Sequence, residues 1–465
     1  MTADKPDHRR QLSYPFMLLA SLAVGVIGGL AAWLFRLLIG LIHNAFFLGE
    51  FSTEYLTRFH TAPSPWGIGV IFVPVLGGLV VVWLVKNFAP EAKGHGVPEV
   101  MHAIRYGEGR IRPRVAIVKS LASAMSIGTG ASVGREGPII QIGSAFGSML
   151  GQWLPFSAAQ RNLLIAAGSG AGIAATFNAP LGGVVFAMEL LMLEINARNL
   201  LVVATATTVA THLGRLLMGD VLSFEQPLVQ SFTEPLHPVL SLTVFIGLGV
   251  FLGLACALYI RGLYRAEDLF ESLPGGPYLQ HAAGMLCVGI IIYLLMDYRS
   301  HYFIQGVSYA SIDDILGNVL QSPGFLLLLF ALKMLSTWLS LGSGASGGIF
   351  SPALLLGATG GAAFGHLADA LLPGANVSAV ACAIVGMAAV VAGSTGALLT
   401  GIIMVLEMTA DYSLVIPLLA ACSVASVVRQ RFSPESIYTL KLARRGEWHP
   451  QSLMSTPAPS QRRSE

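Results

Sequence analysis

Long apolar runs alternate with short polar or glycine-rich breaks along the chain. The first run extends from Pro15 to Ile42 and is interrupted only by Arg36, so it is too long for the roughly 7 to 15-residue core of a cleavable signal peptide. Some runs reach the roughly 20 residues that a helix needs to cross a bilayer, and others are shorter and contain glycine. The short runs indicate tilted or half-spanning helices, which are tolerated where protein or a water-filled cavity surrounds the backbone. The pattern predicts helical segments at 15–42, 67–86, 115–129, 137–154, 160–176, 180–193, 199–218, 237–261, 278–296, 323–341, 350–372, 376–392, 396–409 and 413–428.

The composition turns this set of apolar helices into a prediction of an integral membrane protein. Apolar residues occupy 54% of the 465 positions and charged residues 11%, whereas a soluble globular chain carries about 25% charge. We therefore predict an all-α, multi-pass membrane protein. The net charge of +2 does not indicate a nucleic-acid partner. The four cysteines lie in apolar stretches without metal-ligand spacing, and the sequence indicates no metal and no cofactor.

Lysine and arginine predict the orientation of the chain. They cluster in one loop, at 103–119, and again after the last apolar segment. By the positive-inside rule, this loop and both termini are expected in the cytoplasm. The short polar ends favour a bacterial inner membrane. The basic residues concerned are Arg105, Arg110, Arg112, Arg114 and Lys119 in the loop, and Arg429, Arg431, Lys441, Arg444, Arg445, Arg462 and Arg463 near the C-terminus. The expected organisation is a cytoplasmic segment at 1–12, a membrane transport domain at 13–447 and a disordered polar tail at 448–465.

The chain contains an internal repeat. Gly134-Arg-Glu-Gly-Pro138 and Gly348-Ile-Phe-Ser-Pro352 begin 214 positions apart, and each is followed by two glycines at matching spacing. Further along, Gly183-Val-Val-Phe-Ala-Met-Glu189 matches Gly401-Ile-Ile-Met-Val-Leu-Glu407 at a distance of 218 positions. These matches predict two halves, at about 13–218 and 237–447. Glycine-broken segments at corresponding positions of two repeats point to a binding site near the membrane midplane.

Three glycine and proline motifs carry the candidate chemistry. They are Gly94-His-Gly-Val-Pro98 and the two motifs at 134–138 and 348–352. Proline suits the first turn of a helix, and the glycines before it allow the backbone to approach a ligand closely. Each motif therefore predicts a helix start, which offers unpaired N–H groups and a partial positive charge. Three converging starts would bind a small anion tightly enough to admit it and weakly enough to release it.

These motifs, together with Asn178-Ala-Pro-Leu-Gly-Gly183, resemble the signature stretches of the CLC family of chloride channels and chloride/proton exchangers. The resemblance covers the whole membrane domain. It implies an inverted repeat of two halves, a homodimer, and a separate pathway in each subunit for chloride and other small anions. It also implies that Glu136 is the gating glutamate, for which a salt bridge with Arg135 is the alternative interpretation. The anion-binding residues implied by the motifs are Gly94, His95, Gly96, Val97, Gly134, Arg135, Gly137, Ile349, Phe350 and Tyr438.

Two positions depart from the family pattern. His95 stands where serine is usual, and its ring either donates to the anion or turns away from it. Leu190 stands where proton-coupled members carry a second glutamate, and leucine cannot relay a proton. This favours channel-like, glutamate-gated chloride transport, with proton-coupled antiport as the alternative. In an antiporter, Glu189 or Glu194 could supply a proton path through water, although the repeat partner of Glu189, Glu407, favours a structural role.

A third, remote alternative is a membrane-embedded metal hydrolase. His95, Glu99 and His102 have the spacing of residues on one helical face. The sequence lacks HExxH and a GxSxG elbow, and the basic loop nearby favours a solvated helix end for Glu99 and His102. We therefore expect a transporter and no enzymatic activity.

Overall fold

The computed structural model describes residues 13–219, 224, 238–372 and 378–447. In these ranges the chain is helical and contains no β-strand, only two isolated bridges. The segments expected at 1–12 and 448–465 lie outside the described residues. The described α-helices are α1 (Tyr14–His43), α2 (Val73–Phe88), α3 (Val97–Arg105), α4 (Arg114–Gly128), α5 (Glu136–Trp153), α6 (Ala158–Phe177), α7 (Pro180–Phe186), α8 (Ala197–Met218), α9 (Pro238–Ser272), α10 (Gly276–Arg299), α11 (Tyr309–Leu316), α12 (Pro323–Ser343), α13 (Phe350–Leu371), α14 (Ala379–Thr395), α15 (Leu398–Thr409), α16 (Val415–Phe432) and α17 (Thr439–Arg444).

The helical segments predicted from the apolar runs are confirmed, mostly with small differences at their ends; the largest difference is at α9, which continues to Ser272, 11 residues beyond the predicted end at 261. The segment at 67–86 begins as a 3-10 helix at Gly67–Phe72 before α2 starts, and the segment at 180–193 ends in a π-helical turn at Ala187–Leu191. One prediction is wrong: Lys119 does not lie in the basic loop but in α4, where it is fully buried.

Eight of the described helical segments are long and apolar enough to cross a membrane, and one third to two thirds of each such segment is buried within the protein. Their outward faces carry large apolar side chains, such as Leu19, Leu216 and Ile416, each more than 60% exposed. Lipid rather than water suits such faces, since a contiguous apolar surface of this size is unfavourable in water. The protein is therefore a multi-pass integral membrane protein.

The repeat is visible in the packing. Helices α1 to α8 correspond in order to α9 to α16, and α5 packs on α6 as α13 packs on α14. Contacts between the halves are reciprocal. The N–H of Ser132 donates to Ser340 Oγ at 3.1 Å, and the N–H of Ser346 donates to Ser126 Oγ at 3.2 Å. Since each donor and each acceptor lies 214 positions from its counterpart, the halves are related by a local two-fold axis.

Glycines allow α5 to pack tightly against α6. A Cβ atom on Gly143 would lie 2.2 Å from the carbonyl oxygen of Gly168, which is closer than any side chain permits. In the second half, a Cβ atom on Gly357 would lie 2.2 Å from the carbonyl oxygen of Gly386. Small residues at helix contacts are typical of membrane proteins, where van der Waals packing drives association. This packing fixes α5 and α13, whose N-terminal ends meet at the candidate site.

Candidate anion site

The three glycine and proline motifs are helix starts, as predicted, and they lie together. Helix α3 begins at Val97, α5 at Glu136 and α13 at Phe350, each with a proline in its first turn. Gly134 and Gly348 exchange two backbone hydrogen bonds, of 2.7 and 2.6 Å. The first motif joins them through Gly94, whose N–H donates to the Ala345 carbonyl at 3.1 Å.

Gly137 shows why the motifs need glycine. A Cβ atom at this position would lie 2.4 Å from the carbonyl oxygen of His95 and 2.9 Å from Cα of Gly348. Any side chain on Gly137 would therefore push the second motif away from the other two. The close approach of the three backbones places three helix N-termini around one small volume, where their partial charges add.

Glu136 lies fully buried at the start of α5. Its Oε1 accepts hydrogen bonds from the hydroxyl of Tyr309 at 2.7 Å and from the hydroxyl of Ser351. Its Oε2 accepts from the backbone N–H of Ser351 at 3.3 Å, in the first turn of α13. The carboxylate therefore occupies the place at a helix start that an anion would take.

The alternative interpretation of Glu136, a salt bridge with Arg135, is not what the structure contains. The Arg135 guanidinium lies over the ring of Tyr309, 5.3 Å from its centroid, and no described cation forms an ion pair with Glu136. A carboxylate that is held by neutral donors alone can be displaced by another anion without leaving an unpaired cation behind.

Two buried lysines hold the loops before α3 and α11. Lys119 donates to the carbonyls of Ala92 and Gly94, at 3.0 and 2.7 Å. Lys333, 214 positions later, donates to the carbonyls of Ile304 and Gly306, both at 3.0 Å, and to Ser308 Oγ at 2.9 Å. The first loop presents His95 and the second presents Tyr309. Both lysines thus fix the backbone that forms the site.

The rings of His95 and Tyr438, two of the residues predicted to bind the anion, lie close together. Both side chains are buried, and their ring centroids lie 5.7 Å apart. His95 Nε2 lies 3.5 Å from the hydroxyl of Tyr264, which donates to the carbonyl of Ile437 at 2.6 Å. His95 Nδ1 is buried without a hydrogen-bond partner. The ring therefore stays inside the protein, with one nitrogen left for a further ligand.

The C-terminal segment closes this side of the site. The Arg445 guanidinium forms an ion pair with Glu99 of α3, and this carboxylate raises the pKa of Arg445. His102 Nδ1 lies 2.9 Å from a carboxylate oxygen of Glu447. Two of the three residues considered for a metal site thus face the C-terminal segment. Within the described ranges no group of three or more His, Cys, Asp and Glu side chains could hold a metal ion.

Glu189 and Glu407 cap helices in the opposite halves. Glu189 accepts from the N–H groups of Leu399 and Thr400, at 3.1 and 2.9 Å, and from the Thr400 hydroxyl at 2.8 Å. Glu407 accepts from the N–H groups of Leu181 and Gly182, at 3.0 and 2.6 Å. Every residue of one set lies 218 positions from its counterpart.

Leu190 and Glu194 lie outside this pair of caps. Leu190 is half-buried against the core, and Glu194 is exposed beside a cavity of about 100 Å³. Of the two acids considered for a proton path, the buried one is thus fully engaged as a helix cap.

Four residues that were not predicted from the sequence also line or support the candidate site: Tyr309, Ser351, Tyr264 and Lys333. Lys333 could have been found from the repeat, because it lies 214 positions after Lys119. Tyr309 begins α11, a short helix that contains Asp313 and Asp314 and therefore gives no apolar run.

Comparisons with known proteins agree with this geometry. The family model described as voltage gated chloride channel matches residues 77–430. The H(+)/Cl(-) exchange transporter ClcA of Citrobacter koseri is 34% identical over 391 residues, which cover 82% of this chain and 79% of the relative. The same transporter of Vibrio parahaemolyticus is 33% identical over 442 residues, covering 93% and 90%. The crystal structure of a slow cyanobacterial Cl-/H+ antiporter has a TM-score of 0.81 at 28% identity, covering 94% of this chain and 99% of that one. The chain therefore belongs to the CLC family of voltage-gated chloride channels and chloride/proton exchangers.

Proposed function

We propose that this protein moves chloride across a bacterial inner membrane in exchange for protons, with Glu136 as the group that couples the two ions. The observation that carries the proposal is the buried Glu136 carboxylate, which accepts hydrogen bonds from Tyr309 and from Ser351 at the start of α13. The donors that hold this carboxylate are of the kind that would hold an anion. One side chain can therefore bind a proton and also give its place to chloride.

Competition for these donors accounts for coupling. The ionised carboxylate accepts three hydrogen bonds and excludes an anion from the start of α13. Protonation removes its charge and turns one of its oxygens into a donor, so its attraction to the helix N-terminus is weakened. Chloride can then take the vacated donors. In an exchanger, chloride then leaves towards one side of the membrane and the proton of Glu136 towards the other, after which the ionised carboxylate returns to the start of α13.

We favour proton-coupled exchange over channel-like conduction as the mechanism of chloride transport. The expectation of a channel depends on Leu190 alone, whereas the relatives that share a third of their residues with this chain are named exchangers. Without an acid at 190, protons must reach Glu136 through water or other side chains. We also propose a homodimer with one pathway per subunit, with both termini in the cytoplasm as the basic clusters indicate.

Flux measurements on purified protein in liposomes test the proposal. An imposed chloride gradient should drive protons uphill, in the direction opposite to chloride, and both movements should depend on the protein. Chloride flux without proton movement would support the channel reading instead. The absence of any anion flux would overturn both.

Replacing Tyr309 with phenylalanine should raise the rate of chloride flux at neutral pH by about 2-fold to 10-fold. The hydroxyl of Tyr309 donates one of the three hydrogen bonds that the Glu136 carboxylate accepts. Without this donor, the carboxylate competes less well with chloride for the start of α13, by about 0.5–1.5 kcal/mol. Chloride flux from liposomes at pH 7 gives the rate. Tyr298→Phe, at an exposed position of α10, is the matched control, and a rate that stays unchanged or falls would contradict the role of Tyr309.

Replacing Glu189 with glutamine should lower stability but leave chloride and protons coupled. The amide keeps one acceptor oxygen, so part of the cap on α15 is lost, at a cost of about 1–2 kcal/mol. Thermal unfolding in detergent and the proton-to-chloride ratio in liposomes are the two measurements. Glu407→Gln should behave alike, because it caps α7 in the same way. Loss of coupling in the Glu189 variant alone would instead assign Glu189 to the proton path.

A further inference from the structure

Two histidines, His60 and His301, form a stack in the loops on one side of the molecule. His60 lies between α1 and α2, and His301 lies between α10 and α11. Their ring centroids are 4.1 Å apart, and their planes differ by 12°. Both residues are half-buried, so protons from the solution can reach the rings. In the proposed orientation, with the start of α1 in the cytoplasm, this histidine stack faces the outside.

A hydrogen bond ties the histidine stack to α11, the helix that begins with Tyr309. His60 Nε2 lies 2.7 Å from Oδ2 of Asp314 in α11, and it carries a hydrogen because a carboxylate only accepts. The neighbouring Asp313 forms an ion pair with Arg58 at 3.2 Å. Since α11 is a single short helix, a displacement at Asp314 is transmitted to Tyr309, about one and a half turns away.

The segment between His301 and Tyr309 is strained. Phe303 and Ser308 have φ of +39° and +62°, a region that residues other than glycine rarely adopt. The ring of Phe303 packs on both histidines, with centroids 5.3 and 5.6 Å away. Strained residues persist only where the surrounding contacts hold them. The histidine stack supplies two of these contacts, so a change in the stack alters the segment that leads to Tyr309.

A second proton on the histidine stack is unfavourable, because it places two positive charges on rings 4.1 Å apart. Burial and, after it, the nearby His60 lower the pKa of His301, while the Asp314 carboxylate acts in the opposite sense. His301 is therefore neutral at pH 7.5. The stacked arrangement is fully stable above the ordinary pKa of 6.5 and loses stability as the pH falls below it. The other charged or titratable side chains around the stack are His43, Glu50, Glu54 and Arg58 between α1 and the start of α2, Arg299 at the end of α10, and Asp313 in α11.

We infer that the histidine stack is a proton sensor for the outer solution, separate from Glu136, which weakens the hold of Tyr309 on Glu136 when the outside becomes acidic. A proton on His301 repels His60, and His60 is bonded to the helix that carries Tyr309. The Glu136 carboxylate then gives its place to chloride more readily, so the chloride flux rises. The inference rests on the proposed gating role of Glu136 but not on proton coupling.

Chloride flux of the full-length protein in liposomes, at pH 5 and at pH 7.5, tests the inference on either side of the range in which histidine ordinarily titrates. The rise in flux from pH 7.5 to pH 5 should be about threefold smaller in His301→Gln and in His60→Gln, since glutamine takes up no proton. The double variant should lose no more than either single variant, because the two rings act as one unit. His366→Gln, at a half-buried position of α13, is the matched control and should keep the full rise. An unchanged rise in both single variants would overturn the inference.

A lysine at position 301 tests the direction of the effect. His301→Lys places a permanent positive charge beside His60, so it should raise the flux at pH 7.5 by about threefold, a gain that a damaged protein would not show. The same change should have no effect in a Tyr309→Phe background, where the contact through which the sensor acts is already lost. A lysine variant no faster than the unaltered protein, or one that gains as much without the Tyr309 hydroxyl, would contradict the route through Tyr309. The proton-to-chloride ratio in the same liposomes reports on the proposed exchange, so its failure is distinguishable from the failure of the sensor.

Discussion

Replacing Glu136 with glutamine is expected to abolish proton movement and to leave a chloride flux that no longer changes with external pH. Glutamine is close in size to glutamate but cannot take up or release a proton. Its neutral amide also competes poorly with chloride for the donors of Tyr309 and Ser351, since the attraction to a helix N-terminus is strongest for a negative charge. Proton flux should fall to the level of protein-free liposomes. Chloride and proton fluxes measured in parallel give both results.

The matched control for this variant is Glu50→Gln. Glu50 is exposed and forms no described hydrogen bond with Glu136, Tyr309 or Ser351, so its replacement removes one carboxylate and leaves the contacts of Glu136 unchanged. Coupling and pH dependence should both be retained. If the Glu136 variant still pumped protons, another group would have to be the coupling residue, and the hydrogen bonds of Glu136 would have only a structural meaning.

Much of this site could be predicted from the sequence, because the features that form it correspond to recognisable patterns of apolar residues or to short glycine and proline motifs. Apolar runs gave the long helices, and glycine with proline gave the starts of α3, α5 and α13. The resemblance of these motifs to the CLC family predicted that Glu136 is the gating glutamate. Each of these features is a local property of a few neighbouring residues.

Helix α11 escaped prediction although α3 is its counterpart in the repeat. Gly94 and Gly96 have φ of +73° and +80°, and Gly306 and Ser308 have φ of +54° and +62° at the corresponding places. The second half therefore repeats the backbone conformation of the first motif but only the first of its two glycines. Ser308 takes the place of the second glycine, in a left-handed conformation that is uncommon for serine. The proline is also missing. No glycine and proline pattern marks this helix start. For this reason Tyr309 could not be predicted as a residue of the candidate site.

Replacing Lys333 with methionine is expected to lower the free energy of unfolding by about 1–3 kcal/mol, and by more than the equivalent change at Lys119. Each lysine donates to two backbone carbonyls. Without Lys119, both carbonyls keep a donor, since Ser346 Oγ donates to Ala92 at 2.7 Å and the N–H of Gly347 donates to Gly94 at 3.3 Å. Thermal unfolding of the detergent-solubilised variants compares the two, with the exposed Lys86→Met as control.

The larger loss of stability expected for the Lys333 variant comes from one backbone carbonyl in the second half. The carbonyl of Ile304 keeps a donor in Ser132 Oγ at 3.0 Å, as the repeat requires, but the carbonyl of Gly306 accepts from no described donor other than Lys333. Both lysines are fully buried, so the gain from removing a desolvated amino group is similar in the two variants and cancels in the comparison. What remains is the cost of one unpaired buried acceptor. Equal losses of stability, or a larger loss at Lys119, would mean that this acceptor finds another donor and that the lysines act mainly through their charge.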